Sequence, residues 1–216
     1  MADRRRIPCI YVLAGTNGAG KSSLGGAMFR ETGAEYLNPD EAAQRFLSAN
    51  PGMTQQEANS AAWRQGKRLL ERAISERLDF AFETTLGGRT IAALLDRALS
   101  EKIEVRVWYV GLATPELHIA RVRSRVAAGG HDIPEATIRE RFNTSRLNLV
   151  SLLPKLTELR VYDNSAEGDP REGIAPQPRL LLHIKGGKIV DSCGLTMTPD
   201  WAKPILATAM KLSGLS

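Results

Sequence analysis

Several residue types that define specialised classes of protein are scarce in this chain. Cysteine occurs only twice in 216 residues, as Cys9 in an apolar run and Cys193 in a polar segment. Because two distant thiols provide neither a disulfide framework nor a metal site, we expect a protein of the reducing cytoplasm. No apolar run approaches the roughly 18 residues of a membrane-spanning helix. The apolar stretch after the charged residues 1–6 is short and leads into glycines, so no signal peptide is expected.

Aromatic residues and an excess of one charge are also limited. Aromatics make up 6% of the chain and are not interleaved with basic residues, so no platform for stacking nucleic-acid bases is evident. Lys and Arg number 29 against 24 Asp and Glu, a net charge of +5. This modest excess suits a protein that handles phosphorylated ligands, although it is also a common surface feature. We therefore expect neither a nucleic acid nor a membrane as a partner.

Apolar runs alternate with amphipathic segments along the chain. The continuous apolar run 9–14 is typical of a strand buried on both faces of a parallel sheet. Further strands are predicted at 35–37, 79–84, 105–110 and 159–163, and helices at 22–31, 40–48, 55–77, 90–101, 114–128 and from about 134. The alternation predicts one α/β domain over 1–216, a three-layer sandwich of the P-loop type with a mainly parallel five-stranded sheet. Gly186-Gly187 predicts a C-terminal hairpin over about 179–191.

A glycine-rich phosphate-binding motif follows the first predicted strand. It fits the pattern G-x-x-x-x-G-K-[ST] and is followed by one more serine: Gly15, Thr16, Asn17, Gly18, Ala19, Gly20, Lys21, Ser22 and Ser23. Glycines let backbone N–H groups converge on a phosphate, and the helix that follows adds its positive end. Lys21 is predicted to bridge the β- and γ-phosphates of ATP, and Ser22 to bind Mg²⁺. The turn 163–165 is predicted either to lie near the adenine or to be a simple Asx turn.

Two acidic residues stand where predicted strands end. Asp40 is placed to act as a general base on an attacking hydroxyl, or else to cap the next helix. Glu83 is a candidate for substrate hydroxyls or for a magnesium-bound water. Thr84, Thr85 and Arg89 are candidates for substrate binding beside it, although an ordinary helix cap at either threonine is the alternative. Ligands of open parallel sheets bind at this edge.

Arginines cluster on two predicted helices that flank a glycine break, over about 114–150. The arginines that flank the break at 129–132 are Arg121, Arg123, Arg125, Arg139 and Arg141. Two such helices predict a lid that brings guanidinium groups to the transferring phosphoryl, although a solvated basic face is the alternative. We expect Arg125 and Arg141 to be catalytic and Arg121 to bind substrate, with Arg123 and Arg139 at the surface. His131 is expected to have a packing or capping role.

These motifs together resemble the zeta-toxin family of P-loop kinases. The resemblance rests on residues 14–23, 82–85, 129–134, 138–149 and 162–165. It implies an ATP-dependent kinase with Asp40 as base, Glu83 at the sugar or magnesium site, and Arg125 and Arg141 as lid arginines. Better-known members phosphorylate the 3′-hydroxyl of UDP-N-acetylglucosamine, so the family implies a small-molecule acceptor. It also implies an antitoxin partner that obstructs the ATP site.

Two other functions are compatible with a phosphate loop. The first is a nucleotide-hydrolysing regulatory ATPase, which would need an aspartate at the end of an apolar strand to hold Mg²⁺. The strand 105–110 is followed by Gly111 instead, which argues against it. The second is a nucleotide-dependent nucleic-acid-binding protein, which the sparse aromatics disfavour.

Overall fold

The structure is a computed structural model that describes residues 7–22, 35–166 and 177–214. The strands in these residues are β1 (Cys9–Ala14), β2 (Glu35–Leu37), β3 (Phe80–Thr84), β4 (Glu104–Gly111), β5 (Glu158–Asp163), β6 (Arg179–Lys185) and β7 (Lys188–Ser192). The helices are α1 (Pro39–Ala49), α2 (Gln55–Glu76), α3 (Arg89–Ser100), α4 (Pro115–Ala127), α5 (Glu135–Leu152) and α6 (Lys203–Leu212). Lys21 and Ser22 are helical, and the rest of the helix predicted at 22–31 lies outside the described residues.

All the described strands form one sheet in the order β2-β3-β1-β4-β5-β6-β7. The first five strands in that order are parallel to one another, and β6 and β7 are antiparallel. The predicted α/β fold is confirmed, but the predicted strand count of five is wrong because the C-terminal hairpin belongs to the same sheet. Pairing with β6 satisfies the outer backbone groups of β5, from Glu158 opposite Lys185 to Asp163 opposite Arg179.

The main core lies on one face of this sheet. Ile10, Phe80 and Val105 project from β1, β3 and β4 into a cluster that also takes buried residues from α2, α3, α5 and α6. A smaller cluster around Tyr11 and Leu13 covers the opposite face. Side chains therefore alternate between two buried faces, which explains why β1 reads as a continuous apolar run. No helix in the described part of the chain is long and apolar enough to cross a membrane.

The helix starts test three capping predictions. Thr114 caps α4, since its side chain accepts a hydrogen bond from the backbone N–H of Leu117, as predicted. Asp40 is not a cap, because the Asn38 side chain accepts from the N–H groups of Asp40 and Glu41. The alternative of a cap at Thr84 or Thr85 is also wrong, since Gly88 precedes α3.

The segment that follows the C-terminal hairpin, including α6, was not predicted from the sequence. Trp201 is buried with Ile205, Leu206 and Ala209 of α6 in the main core. The Trp201 ring lies so close to Gly111 that a Cβ added there would be 2.5 Å from a ring carbon. Because bulk at position 111 would displace the tryptophan, the glycine that ends β4 is a packing requirement.

Candidate active site

The loop between β1 and the following helix is closely packed against its neighbours. Gly15 has a φ of +144°, and a Cβ there would lie 2.1 Å from the carbonyl oxygen of Val110. Gly18 has a φ of +81°, and its Cβ would lie 2.6 Å from the carbonyl oxygen of His118. Both positions therefore require glycine for backbone conformation and for space. The N–H of Gly15 donates to the carbonyl of Thr84 at 3.2 Å, which ties the loop to β3.

Asn164 supports the same loop from the end of β5. Its Nδ2 donates to the carbonyl oxygen of Ala19 at 2.9 Å. The N–H of Ser165 donates to Oδ1 of Asp163 at 3.3 Å, so this segment forms the Asx turn named above as one alternative. The turn thus braces the phosphate loop through one buried amide.

Lys21 points back over the loop. Its Nζ donates to the carbonyl oxygen of Gly15 at 2.8 Å. Burial lowers the pKa of this ammonium, while the carboxylates of Glu83 and Asp40 act in the opposite direction. The lysine therefore hydrogen-bonds to the loop backbone and is attracted by two carboxylates. The phosphates of a bound nucleotide would compete with these groups for the positive charge of its ammonium.

Glu83 is a buried carboxylate, 5% exposed, at the end of β3. It accepts hydrogen bonds from the Ser22 hydroxyl at 3.0 Å, from Asn38 Nδ2 at 3.2 Å and from the Tyr36 hydroxyl. These donors come from the phosphate loop and from β2 and its end, so Glu83 joins the elements on both sides of β3. The carboxylate is thereby fixed in one orientation beside Ser22.

The Ser22 and Glu83 pair fits a magnesium ion that is shared with phosphates. Mg²⁺ is usually held by one or two protein oxygens together with substrate phosphates and water, rather than by a cage of protein ligands. A serine hydroxyl 3.0 Å from a carboxylate supplies such oxygens. Within the described ranges, no group of three His, Cys, Asp or Glu side chains could hold a metal on its own. Ser23, the other loop serine, lies outside the described residues.

Asp40 lines the cavity that the loop also borders, from the second position of α1. Pro39 begins the helix and Asn38 caps it, which fixes the direction in which Asp40 projects. Its side chain is 55% exposed and lies 3.5 Å from Nη1 of Arg125. The Nε2 of His131 is 3.9 Å from the same carboxylate. Asp40 is therefore an accessible carboxylate, oriented by a cation, that can contact a ligand in the cavity.

The predicted lid helices are α4 and α5, and the five arginines singled out from the sequence separate into two sets. Arg125 contacts Asp40, donates through Nη2 to the carbonyl of His131 at 3.2 Å, and buries an Nε without a hydrogen-bond partner. Arg141 donates to Asn17 Oδ1 at 2.8 Å, and burial lowers its pKa. Arg121 lines the cavity and donates to the carbonyl of Ala166 at 3.3 Å. The other two form surface ion pairs, Arg123 with Glu135 and Arg139 with Glu116.

His118 was missed by sequence reasoning. It is 1% exposed on α4, and its Nδ1 donates to the carbonyl oxygen of Asn17 at 2.8 Å. Phe142 of α5 packs edge-on against the ring. Burial, together with the charges of Lys21, Arg121 and Arg146, lowers its pKa to about 4, so the ring is neutral at pH 7. The sequence signal that could have identified it is its position four residues before Val122, which places both side chains on the same buried face of α4.

The remaining predicted residues lie on the loop after β3. Thr84 Oγ1 accepts from the N–H of Leu86 at 3.0 Å, and Thr85 Oγ1 from that of Gly87 at 3.5 Å, so both hydroxyls shape the turn. Both threonines line the cavity. Arg89 is exposed at the start of α3 and is not among the residues that line it.

One cavity joins most of these side chains. It has a volume of about 320 Å³, at the small end of the range of ligand sites. Its lining includes the phosphate loop, Glu83, Asp40 and two of the lid arginines: Asn17, Gly18, Gly20, Lys21, Ser22, Asn38, Pro39, Asp40, Glu83, Thr84, Thr85, Arg121 and Arg125. The cavity opens at the carboxyl ends of the parallel strands, where such sheets bind ligands.

A parallel sheet with this loop and flanking helices defines a P-loop kinase-like protein. Residues 10–144 match the family described as AAA domain (AAA_33), and the chain therefore belongs to that family. An uncharacterized protein of Haemophilus influenzae is 31% identical over 129 residues, which cover 59% of this chain and 88% of that protein.

Two solved structures share the fold at low sequence identity. AvrRxo1-ORF1:-ORF2 with ATP superposes with a TM-score of 0.65 at 13% identity, covering 95% of this chain and 64% of that one. This chain thus spans less than two thirds of that neighbour. A structure from the PezAT chromosomal toxin–antitoxin system of Streptococcus pneumoniae gives a TM-score of 0.51 at 19% identity, covering 74% and 70%.

Proposed function

We propose that this protein is an ATP-dependent kinase that transfers the γ-phosphate of ATP to a hydroxyl of a small molecule. The observation that carries the proposal is the position of Asp40. Its carboxylate is accessible, lines the same cavity as Lys21 and Ser22, and is paired with Arg125 at 3.5 Å. A carboxylate in that position is a base for an acceptor hydroxyl, whereas hydrolysis needs only a group that orients water.

In the proposed reaction Asp40 accepts the proton of the acceptor hydroxyl as its oxygen forms a bond to the γ-phosphorus. The bond from that phosphorus to the bridging oxygen breaks, and ADP leaves with the electron pair. Lys21, Arg125 and Arg141 stabilise the charge on the transferring phosphoryl, Arg125 from the cavity wall and Arg141 from its contact with Asn17 of the loop. Arg121 is available to the acceptor or the nucleotide from the cavity wall.

A magnesium ion fits this scheme at Ser22, with Glu83 beside it. When bound there, Mg²⁺ neutralises phosphate charge and orients the triphosphate. The role of Glu83 is to hold the Ser22 hydroxyl and to accept hydrogen bonds that keep β2 and its Asn38 turn in place.

The acceptor is proposed to be small and polar. The cavity has a modest volume, and the hydrogen-bonding side chains of Asn38, Asp40, Glu83, Thr84 and Thr85 line it together with the loop. A UDP-activated amino sugar such as UDP-N-acetylglucosamine is the first compound to test, given the resemblance to zeta toxins. The PezAT neighbour comes from a toxin–antitoxin system, and with the resemblance to zeta toxins it motivates an antitoxin as a partner for this chain.

The test is mass spectrometry of a metabolite extract incubated with the protein and Mg·ATP, with UDP-N-acetylglucosamine as a separate sample. The proposal expects one metabolite to gain a phosphate while ADP forms in equal amount. ADP release that is indifferent to any acceptor would favour the regulatory ATPase, and release stimulated by DNA or RNA would favour nucleic-acid binding.

The Asp40→Asn variant tests the base. Asparagine keeps the size of the side chain but cannot accept the proton, so the transfer rate should fall by about 10²- to 10⁴-fold. Mg·ATP binding should be retained, since Asp40 is not one of the phosphate-loop residues 15–22. A transfer rate near that of the wild type would show that Asp40 is not the base.

A further inference from the structure

Both helices of the predicted lid hydrogen-bond to one residue of the phosphate loop. The side-chain oxygen of Asn17 accepts from Nη1 of Arg141 on α5 at 2.8 Å. Its backbone oxygen accepts from Nδ1 of His118 on α4 at 2.8 Å. The Thr16 hydroxyl donates in turn to the carbonyl oxygen of Arg141 at 3.3 Å. Asn17 is therefore the point at which the loop meets α4 and α5.

The Arg141 side chain is restrained along its length. Its Cγ lies against Gly87, where an added Cβ would be 2.9 Å away. At the far end, the guanidinium is planar and rigid, so a hydrogen bond to one nitrogen sets the direction of the remaining N–H groups. Asn17 Oδ1 is the side-chain acceptor that makes this bond.

We propose that Asn17 is a positioning residue whose amide oxygen orients Arg141 toward the phosphate loop before any nucleotide binds. A guanidinium held in place does not have to be ordered as charge develops on the transferring phosphoryl, and this is the advantage of preorganised donors. The inference rests on the proposed function, because Arg141 is taken to act on that phosphoryl. A purely structural role for Asn17 would affect folding and ADP affinity instead.

The test compares binding of Mg·ADP alone with binding of Mg·ADP and aluminium fluoride, which mimics the transferring phosphoryl, by isothermal titration calorimetry. The ratio of the two affinities isolates the groups that act on the phosphoryl. Arg141→Ala and Asn17→Ala should each reduce this ratio by about 10- to 100-fold, as expected for loss of charge-assisted hydrogen bonds. The double variant should match Arg141→Ala, because Asn17 acts through the arginine.

Asn143→Ala is the matched control. Asn143 is an exposed residue of α5 whose Oδ1 accepts from Nη2 of Arg146 at 2.6 Å, the same pairing away from the loop. The ratio of its affinities with and without aluminium fluoride should equal that of the wild type. Asn17→Ser, whose shorter side chain does not reach Arg141, provides a second variant, and circular dichroism reports folding of each.

The outcomes separate this inference from the proposed function. Three results would overturn the positioning role. The two substitutions could have additive effects in the double variant, or a variant could lose affinity equally for Mg·ADP and for Mg·ADP with aluminium fluoride. The third is a wild type that binds Mg·ADP no more tightly when aluminium fluoride is present. Failure of both Asn17 variants to fold would also overturn it, in favour of a structural role. If the protein transfers no phosphate but the two variants lower the affinity ratio non-additively, the positioning role is supported and the kinase proposal fails.

Discussion

Replacing His118 with asparagine should remove a pH-dependent weakness from the fold. The neutral imidazole is buried, and its Nδ1 donates to the carbonyl of Asn17. Burial lowers its pKa from 6.5 to about 4. Because the amide nitrogen of asparagine can occupy a position near Nδ1, His118→Asn retains a donor at this site and no longer titrates.

The magnitude follows from the two pKa values. Above pH 6.5 the histidine is neutral in both folded and unfolded chains, so its titration leaves stability unchanged. Between pH 6.5 and about 4 the unfolded chain binds a proton that the folded chain does not, so stability falls as pH falls. At about 1.4 kcal/mol per pKa unit, the loss is about 2 kcal/mol at pH 5 and approaches about 3 kcal/mol near pH 4.

The assay is urea unfolding of both proteins at a series of pH values from 7.5 to 4.5. The other titrating groups are common to both proteins, so the difference between the two free energies of unfolding isolates His118. We expect this difference to be constant above pH 6.5 and to shift in favour of His118→Asn by about 2 kcal/mol at pH 5. A difference that stays flat over the whole range would refute a buried, neutral His118.

Two further predictions concern the loop and the buried carboxylate. Gly15→Ala should cost about 2 kcal/mol or more in thermal unfolding and weaken Mg·ATP binding in calorimetry, because its Cβ would lie 2.1 Å from the Val110 oxygen. Gly52 also has a positive φ, but a Cβ added there would have no atom within 4 Å, so Gly52→Ala should lower stability by about 1 kcal/mol and leave ATP affinity unchanged. Equal effects of the two substitutions would contradict the packing argument. Glu83→Gln should raise the Mg²⁺ concentration needed for half-maximal ATP turnover by about 10-fold, since a neutral amide accepts fewer hydrogen bonds beside Ser22. An unchanged magnesium titration would remove Glu83 from the metal site.

The local elements of the fold could be predicted from sequence because their signals are local. The apolar run of β1 and the Thr114-Pro115 helix start each specify their own segment, and both appear where expected. The joining of β6 to β5 could not be predicted, since the segment 164–178 between the two strands is too long for a tight hairpin turn and no local pattern specifies the pairing. The burial of Trp201 against Gly111 is likewise a tertiary contact with no local pattern.

The candidate site shows the same division. The phosphate motif, and the rule that the carboxyl ends of parallel strands share one edge of the sheet, predict that Lys21, Asp40 and Glu83 lie together. All three line one cavity. The choice of Asn38 rather than Asp40 as the cap of α1 could not be made, because both residue types cap helices. The contacts of Asn17 with His118 and Arg141 depend on how α4 and α5 pack against the loop, which no spacing rule specifies.

The most direct test of the central claim follows the γ-phosphate itself. ATP labelled with ¹⁸O in the γ-phosphoryl group is incubated with the protein, magnesium and a metabolite extract, and the products are separated by mass. A kinase delivers the labelled phosphoryl to a metabolite hydroxyl, so the label should appear in a phosphorylated small molecule at the rate of ADP formation. Label found entirely in inorganic phosphate would contradict the account.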